Sequence, residues 1–213
     1  MRLYLSSYLF GHAFEEEILN LVPQKAHIAI CHNARDAAPL EERLETASNP
    51  KQYAPFEKMG FTHEELDLRH FIDNAHALQA HLSRFDMLWV RGGNVFTLRR
   101  AFYHSGLDHI LPPMLENDEI AYGGFSAGCC VLSPSLKGYE LVDPPQEHVT
   151  GYTPDILWDG LGILDEQFVP HYMSDHPEAE AVDDAIAFYQ KENIPYRTLR
   201  DGDALSYITL PES

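Results

Sequence analysis

The stretch Gly123-Gly124-Phe125-Ser126-Ala127-Gly128 decides how the chain is read. It follows Glu119-Ile120-Ala121-Tyr122, which reads as a buried strand, and precedes Cys129-Cys130-Val131-Leu132, which can wind as the start of a helix. Gly124-Phe125-Ser126-Ala127-Gly128 fits Gly-x-Ser-x-Gly, where a serine sits on a sharp strand-to-helix turn with its hydroxyl held out at the sheet's carboxyl edge. Glycine on either side removes the Cβ atoms that would collide where strand and helix cross. The N–H of Ala127 then points where an oxyanion would form, and the helix N-terminus is expected to add partial positive charge there.

Working outward, short apolar runs alternate with helical patterns. Arg2-Leu3-Tyr4-Leu5-Ser6-Ser7 is a strand ending in small polar residues, and Ala26 to Cys31 is a second, apolar on both faces. Phe61 to Leu68 contains a third, Phe85 to Val90 is the fourth, and Glu119 to Tyr122 the fifth. Helices are expected over Phe14–Leu21, Phe71–Leu82, from about Val95, and over Leu107–Leu115 with an interruption at Pro112-Pro113. Ser133 to Gly162 is loop-rich. Phe168-Val169-Pro170-His171 is a strand end, Pro177 to Glu192 an amphipathic helix, and Tyr196–Leu199 and Ala204–Ile208 the last strands, joined by Asp201-Gly202-Asp203. This alternation predicts one α/β domain over residues 1–213, a single doubly wound, mostly parallel sheet with helices on both faces. Ligands in such sheets bind beyond the carboxyl ends of the strands, where Gly92-Gly93, Ser126 and His171 all fall.

Composition narrows the function. With 15 Lys+Arg against 33 Asp+Glu, the net charge is −18. No basic face can be assembled, so neither a nucleic acid nor an anionic membrane is expected as partner. Three cysteines, Cys31, Cys129 and Cys130, two of them adjacent, do not make a disulfide framework and fit a reducing compartment. No signal-peptide pattern or membrane-length apolar run is present, so the expectation is a cytoplasmic protein. A homodimer is the assembly considered.

The serine needs a base, and twelve histidines compete. His171 is preferred because it ends an apolar strand and so reaches the same sheet edge as the elbow. Gly92-Gly93-Asn94 supplies the second half of the site: without a Cβ, the N–H of Gly93 can turn inward and pair with that of Ala127 as an oxyanion hole. Arg91 can carry a substrate carboxylate or a surface ion pair, and Lys137 and Arg35 are further candidates for an acidic substrate group. The orienting acid is open among Glu140, Asp143 and Asp201. Cys129 and Cys130 should pack in the core. His171 with His176 lacks a third metal ligand at a sensible interval, and neither a dinucleotide fingerprint nor a P-loop lysine is present, so no metal or cofactor is expected.

The ordered set Trp89-Val90-Arg91-Gly92-Gly93-Asn94-Val95-Phe96, Gly124-Phe125-Ser126-Ala127-Gly128, and Gly160-Leu161-Gly162-Ile163-Leu164 leading to Pro170-His171-Tyr172 resembles the peptidase E (aspartyl dipeptidase) and cyanophycinase family of serine peptidases. The resemblance implies a class I glutamine-amidotransferase-like fold and a Ser-His-acid site that removes N-terminal aspartate from dipeptides. It makes Ser126 the nucleophile, His171 the base, and Gly93 with Ala127 the oxyanion donors, with Gly92, Asn94, Arg91 and Lys137 about the substrate. An acid placed after the elbow is Glu140, taken first, or Asp143; one placed after the histidine is Asp201. Arg91 stands where the family often has a third glycine. Other acyl hydrolysis at the same elbow, or a binding protein without catalysis, are the alternative readings.

Overall fold

The computed structural model describes residues 1–209. Its strands are β1 (Arg2–Ser6), β2 (His27–Cys31), β3 (Thr62–Leu66), β4 (Met87–Val90), β5 (Ala121–Phe125), β6 (Gln167–Val169), β7 (Tyr196–Thr198) and β8 (Ala204–Ile208). Six form the central sheet, in the order β3-β2-β4-β5-β1-β8. All neighbours run parallel except β8, which pairs antiparallel with β1.

The helices are α1 (Phe14–Glu17), α2 (Leu40–Ser48), α3 (Ala54–Lys58), α4 (Ala75–Leu82), α5 (Val95–Ser105), α6 (Leu107–Glu116), α7 (Ala127–Cys130) and α8 (Ala179–Glu192). Strand side chains alternate between two cores. Leu3, Leu5, Leu88, Val90 and Tyr122 face Leu78, Phe96, Phe102 and Leu111 of α4 to α6. Tyr4, Ile28, Ile30 and Trp89 face Phe14, Ile18 and Phe56 on the other side. That second core is largely aromatic, with Phe10 stacked on Trp89 at 5.0 Å and Phe14 and Phe56 edge-on to it. Burial on both faces explains why β2, β4 and β5 read as continuous apolar runs.

The expected helix over Phe14–Leu21 is shorter, α1 followed by a 3₁₀ turn at Ile18–Asn20. Pro112 and Pro113 do not interrupt α6. They sit on its more exposed side, while Leu111, Met114 and Leu115 pack into the core and hold the helix through the two missing N–H groups. The strand leading to His171 does not join the central sheet: β6 pairs parallel with β7 alone, and α8 covers the pair through Val182, Ala185, Ile186 and Tyr189. The small sheet is tied back because the turn after β7 leads directly into β8, beside β1. Among the described residues no helix is long and apolar enough to cross a membrane.

Candidate active site

Ser126 follows β5 with φ 51° and ψ −122°, a conformation that side-chain-bearing residues rarely hold. Three backbone bonds pin it there. Its N–H donates to Ser6 O (3.3 Å), and its carbonyl accepts from the N–H groups of Cys129 (2.7 Å) and Cys130 (2.9 Å). The flanking glycines are required by β4. A Cβ at Gly124 would lie 2.5 Å from Val90 O, and one at Gly128 only 2.2 Å from it. The serine is partly exposed and lines a cleft of about 450 Å³ together with His171. Its hydroxyl makes no hydrogen bond among the described residues. The helix that follows has four residues, too few for the expected macrodipole, so any charge stabilisation here falls to individual N–H groups.

The N–H groups of Gly93 and Ala127 are among those left without an acceptor in the described residues. Gly93 has φ 145°, and a Cβ on it would meet Ala34 O at 2.6 Å. Gly92 packs so closely that a Cβ would fall 3.1 Å from that of Ser126. Asn94 is committed elsewhere. Its Oδ1 accepts from Phe96 and Thr97 N–H to cap α5, and its Nδ2 donates to Pro144 O. It holds the turn and does not line the main cleft.

His171 lies just beyond β6, buried at 1% exposure with φ 62°. Its Nδ1 is 2.7 Å from Asp201 Oδ1. This carboxylate partner places the proton on Nδ1 and leaves the Nε2 lone pair available. Burial, and then the neighbouring His176, hold the imidazole below its ordinary pKa, against the pull of Asp201 and Glu178. Ser7 completes the arrangement and was not singled out from the sequence: its Oγ accepts the His171 N–H (2.8 Å) and donates to Asp201 Oδ1 (2.8 Å). Ser174 Oγ accepts the Asp201 N–H (2.8 Å). The small polar end of β1 was the available signal.

The other two acids are occupied away from the imidazole. Glu140, the first choice from sequence, accepts the Gly138 N–H at 2.5 Å within its own turn. Asp143 accepts the Val95 N–H at the start of α5 (2.8 Å), and desolvation pushes its carboxyl up to about 7. His176 stacks on His171, with ring centroids 3.7 Å apart and planes 9° from parallel. Glu178 Oε2 is 3.9 Å from His171 Nε2 and 3.9 Å from His176 Nδ1, so, contrary to the reading of the sequence, a third potential metal ligand stands beside the pair. Burial pushes the Cys129 and Cys130 thiols up, consistent with packing and not with nucleophilic use.

The opposite wall of the cleft carries Arg91 and Arg35. Arg91 is 3% exposed, and its NH1 donates to His32 Nδ1. No carboxylate lies within 4.0 Å of its guanidinium among the described residues, and its Nε is buried without an acceptor. Burial draws this guanidinium down to about 10. Burial and Arg91 together hold His32 down to about 3, so it is the neutral acceptor that steadies the arginine. Arg35 also has a buried, unpartnered Nε, with Glu42 3.6 Å from its NH2. Lys137 is exposed and does not line this cleft.

Residues 45–209 match the model of peptidase family S51. A peptidase E of Streptomyces coelicolor is 30% identical over 134 residues, covering 59% of this chain and 50% of the relative. An uncharacterized peptidase of Listeria innocua is 28% identical over 137 residues, covering 63% and 61%. The chain thus spans only half to about three-fifths of the length of these curated relatives. A crystal structure of a protein assigned as peptidase E from Listeria monocytogenes superposes with a TM-score of 0.75 at 21% identity, covering 100% of this chain and 98% of that one. A peptidase from an acI-B1 actinobacterium gives 0.67 at 17% identity, covering 97% and 82%. At these identities the two structures speak for the fold.

Proposed function

The chain belongs to peptidase family S51, and from that premise we propose that it is a serine peptidase of short peptides, with N-terminal Asp-Xaa dipeptides as its first substrates. One observation carries the reading. A serine hydroxyl is bent by a strained backbone into the same cleft as a buried imidazole whose other nitrogen is held by a carboxylate at 2.7 Å.

In this reading Ser126 Oγ attacks the scissile carbonyl while His171 Nε2 takes its proton. Asp201 fixes the tautomer and offsets the imidazolium that forms. The N–H groups of Gly93 and Ala127 receive the oxyanion, each lowering the barrier by about 3 kcal/mol. His171 then protonates the leaving amine, and water releases the acyl group by the same route reversed. Arg91 supports a substrate carboxylate, since a buried guanidinium with an unanswered N–H is satisfied by one, and the more exposed Arg35 adds a second cation on the same cleft. Glu140, Asp143, Lys137 and Asn94 are given no direct contact with the reacting atoms. Three buried, free cysteines fit a cytoplasmic site of action.

The test is hydrolysis of a dipeptide panel by the wild-type chain and Ser126→Ala. We expect Asp-Xaa to be cleaved and the variant to lose on the order of 10⁶ in kcat. A variant with wild-type rate overturns the mechanism. Labelling of Ser126 by a fluorophosphonate without cleavage of any peptide would replace it with other acyl hydrolysis.

A further inference from the structure

We propose that His171, His176 and Glu178 form a binding site for a divalent transition-metal ion, and that an ion bound there switches the peptidase off. The switch rests on His171 being the base; the binding site does not.

The donor set is two imidazoles and one carboxylate, and each offers an atom within 4.8 Å of the others. One oxygen, Glu178 Oε2, is equidistant from both imidazole nitrogens, at 3.9 Å. Ligands on a tetrahedral zinc at about 2.0–2.1 Å are separated by roughly 3.3–3.4 Å. Closing the site therefore takes a contraction of about half an ångström along each of the two carboxylate–imidazole edges, and the two imidazole nitrogens start within 4.8 Å of each other. Two imidazoles and a carboxylate suit zinc, copper or nickel, whereas magnesium and calcium require an all-oxygen shell.

Three features favour occupancy. First, His171 already has the outer partner that metal-bound histidines need. Asp201 holds its Nδ1 at 2.7 Å, so the Nε2 lone pair is fixed in direction and made more basic. Second, neither the Glu178 carboxylate nor the His176 ring has a Lys or Arg partner within 4.0 Å among the described residues. Among the described residues the His176 Nδ1 accepts one hydrogen bond, from the Glu178 N–H at 3.3 Å, a weak bond to give up. Third, the mobile half of the site lies where motion costs little. His171 is anchored by Ser7 and Asp201, but His176 and Glu178 lie partly exposed in the irregular segment before α8. Imidazole lone pairs lie in the ring plane, so the parallel stack must open for both rings to reach one ion. His176 is the less anchored ring, and turning it means leaving its edge contact with Tyr8 at 5.6 Å.

The functional consequence follows from orbital occupancy. His171 Nε2 has one lone pair. Given to a metal, it cannot accept the proton of Ser126, so ion binding and the first chemical step exclude each other.

Calorimetric titration of the full chain with zinc chloride, in a buffer that does not chelate, tests the site directly. Wild-type protein should take up one zinc that magnesium does not displace. His176→Ala and Glu178→Gln should each weaken that site at least about tenfold, and Asp201→Asn by about 10–100-fold through its outer contact. Zinc uptake unchanged in both His176→Ala and Glu178→Gln, or none below millimolar concentration, overturns the site. In a parallel dipeptidase assay, zinc should inhibit, a chelator should restore the rate, and the inhibitory concentration should rise with the dissociation constant across the variants. Zinc bound at the trio without inhibition overturns the switch. The titration needs no turnover, so it stands whether or not the chain hydrolyses peptides.

Discussion

Two loops meet at the cleft, and they are built in opposite ways. The turn carrying Ser126 is held by its own neighbourhood: the carbonyl that pins it bonds residues three and four positions on, and the glycines around it answer one carbonyl of the adjacent strand. The turn carrying His171 is held from afar. Its N–H reaches Ser7, 164 positions back in sequence, and its ring reaches Asp201, 30 positions ahead. Both residues have positive φ, 51° and 62°, so both store backbone strain at the point of use. What differs is the source of the restraint: local spacing in one, tertiary closure in the other.

That contrast can be broken at several points. The largest effect is expected at the distal partner. Asp201→Asn should leave the fold intact and lower kcat on the order of 10⁴, because the imidazole then loses its tautomer; steady-state kinetics with circular dichroism decides it. Next comes the local side. Gly128→Ala drives a methyl against Val90 O and should cost about 3 kcal/mol or more, read as a shift of the urea midpoint. If it is tolerated, the elbow is less tightly determined than its spacing implies.

Ser7→Ala tests the distant tie on the His171 turn. It strips the His171 N–H of its acceptor and Asp201 of a donor, at a cost of about 1–3 kcal/mol, with slower turnover. Asp143→Asn should have an effect that depends on pH. The folded carboxyl ionises at about 7 against an ordinary 3.8, so the native state holds its proton more tightly than the unfolded chain. Stability from this group is complete below pH 3.8 and is lost as pH rises toward 7. The amide keeps the acceptor for Val95 and avoids the loss, so its melting temperature should exceed the parent's at pH 8 and equal it near pH 3.8. Smallest is Glu140→Gln, whose amide oxygen can still cap Gly138; within about 0.5 kcal/mol and without change in kcat is expected.

These differences explain what was legible. Gly124, Ser126, Gly128 and the Gly92-Gly93 pair can be read from sequence because their demands are steric and local. The alternating strands and helices follow from the same kind of information. Asp201 could be named among three acids, but not chosen as the one beside the imidazole. Asp201 approaches His171 only because β7 pairs with β6 and then hands the chain to β8 on the far side of β1, and no spacing rule encodes that path. Glu140 looked better placed because it lies nearer the elbow, but Gly138, at φ 96°, folds its carboxylate back on its own turn. Ser7 was hidden because a strand-ending serine is ordinary until its neighbours are known. Lys137 and Arg91 were equal candidates by charge, and burial separated them.

The helix α2 frames one side of the cleft without a single buried residue, and Leu40 and Leu44 remain exposed on it. Polar threads fasten it: Tyr53 to Ala47 O, Arg91 to Thr46 O, and the Arg35–Glu42 pair. Segments so lightly anchored open at the low end of a protein's free-energy scale, whereas β4 and β5 open only with the whole. Deuterium uptake would therefore divide the cleft into a breathing bank and a still bed.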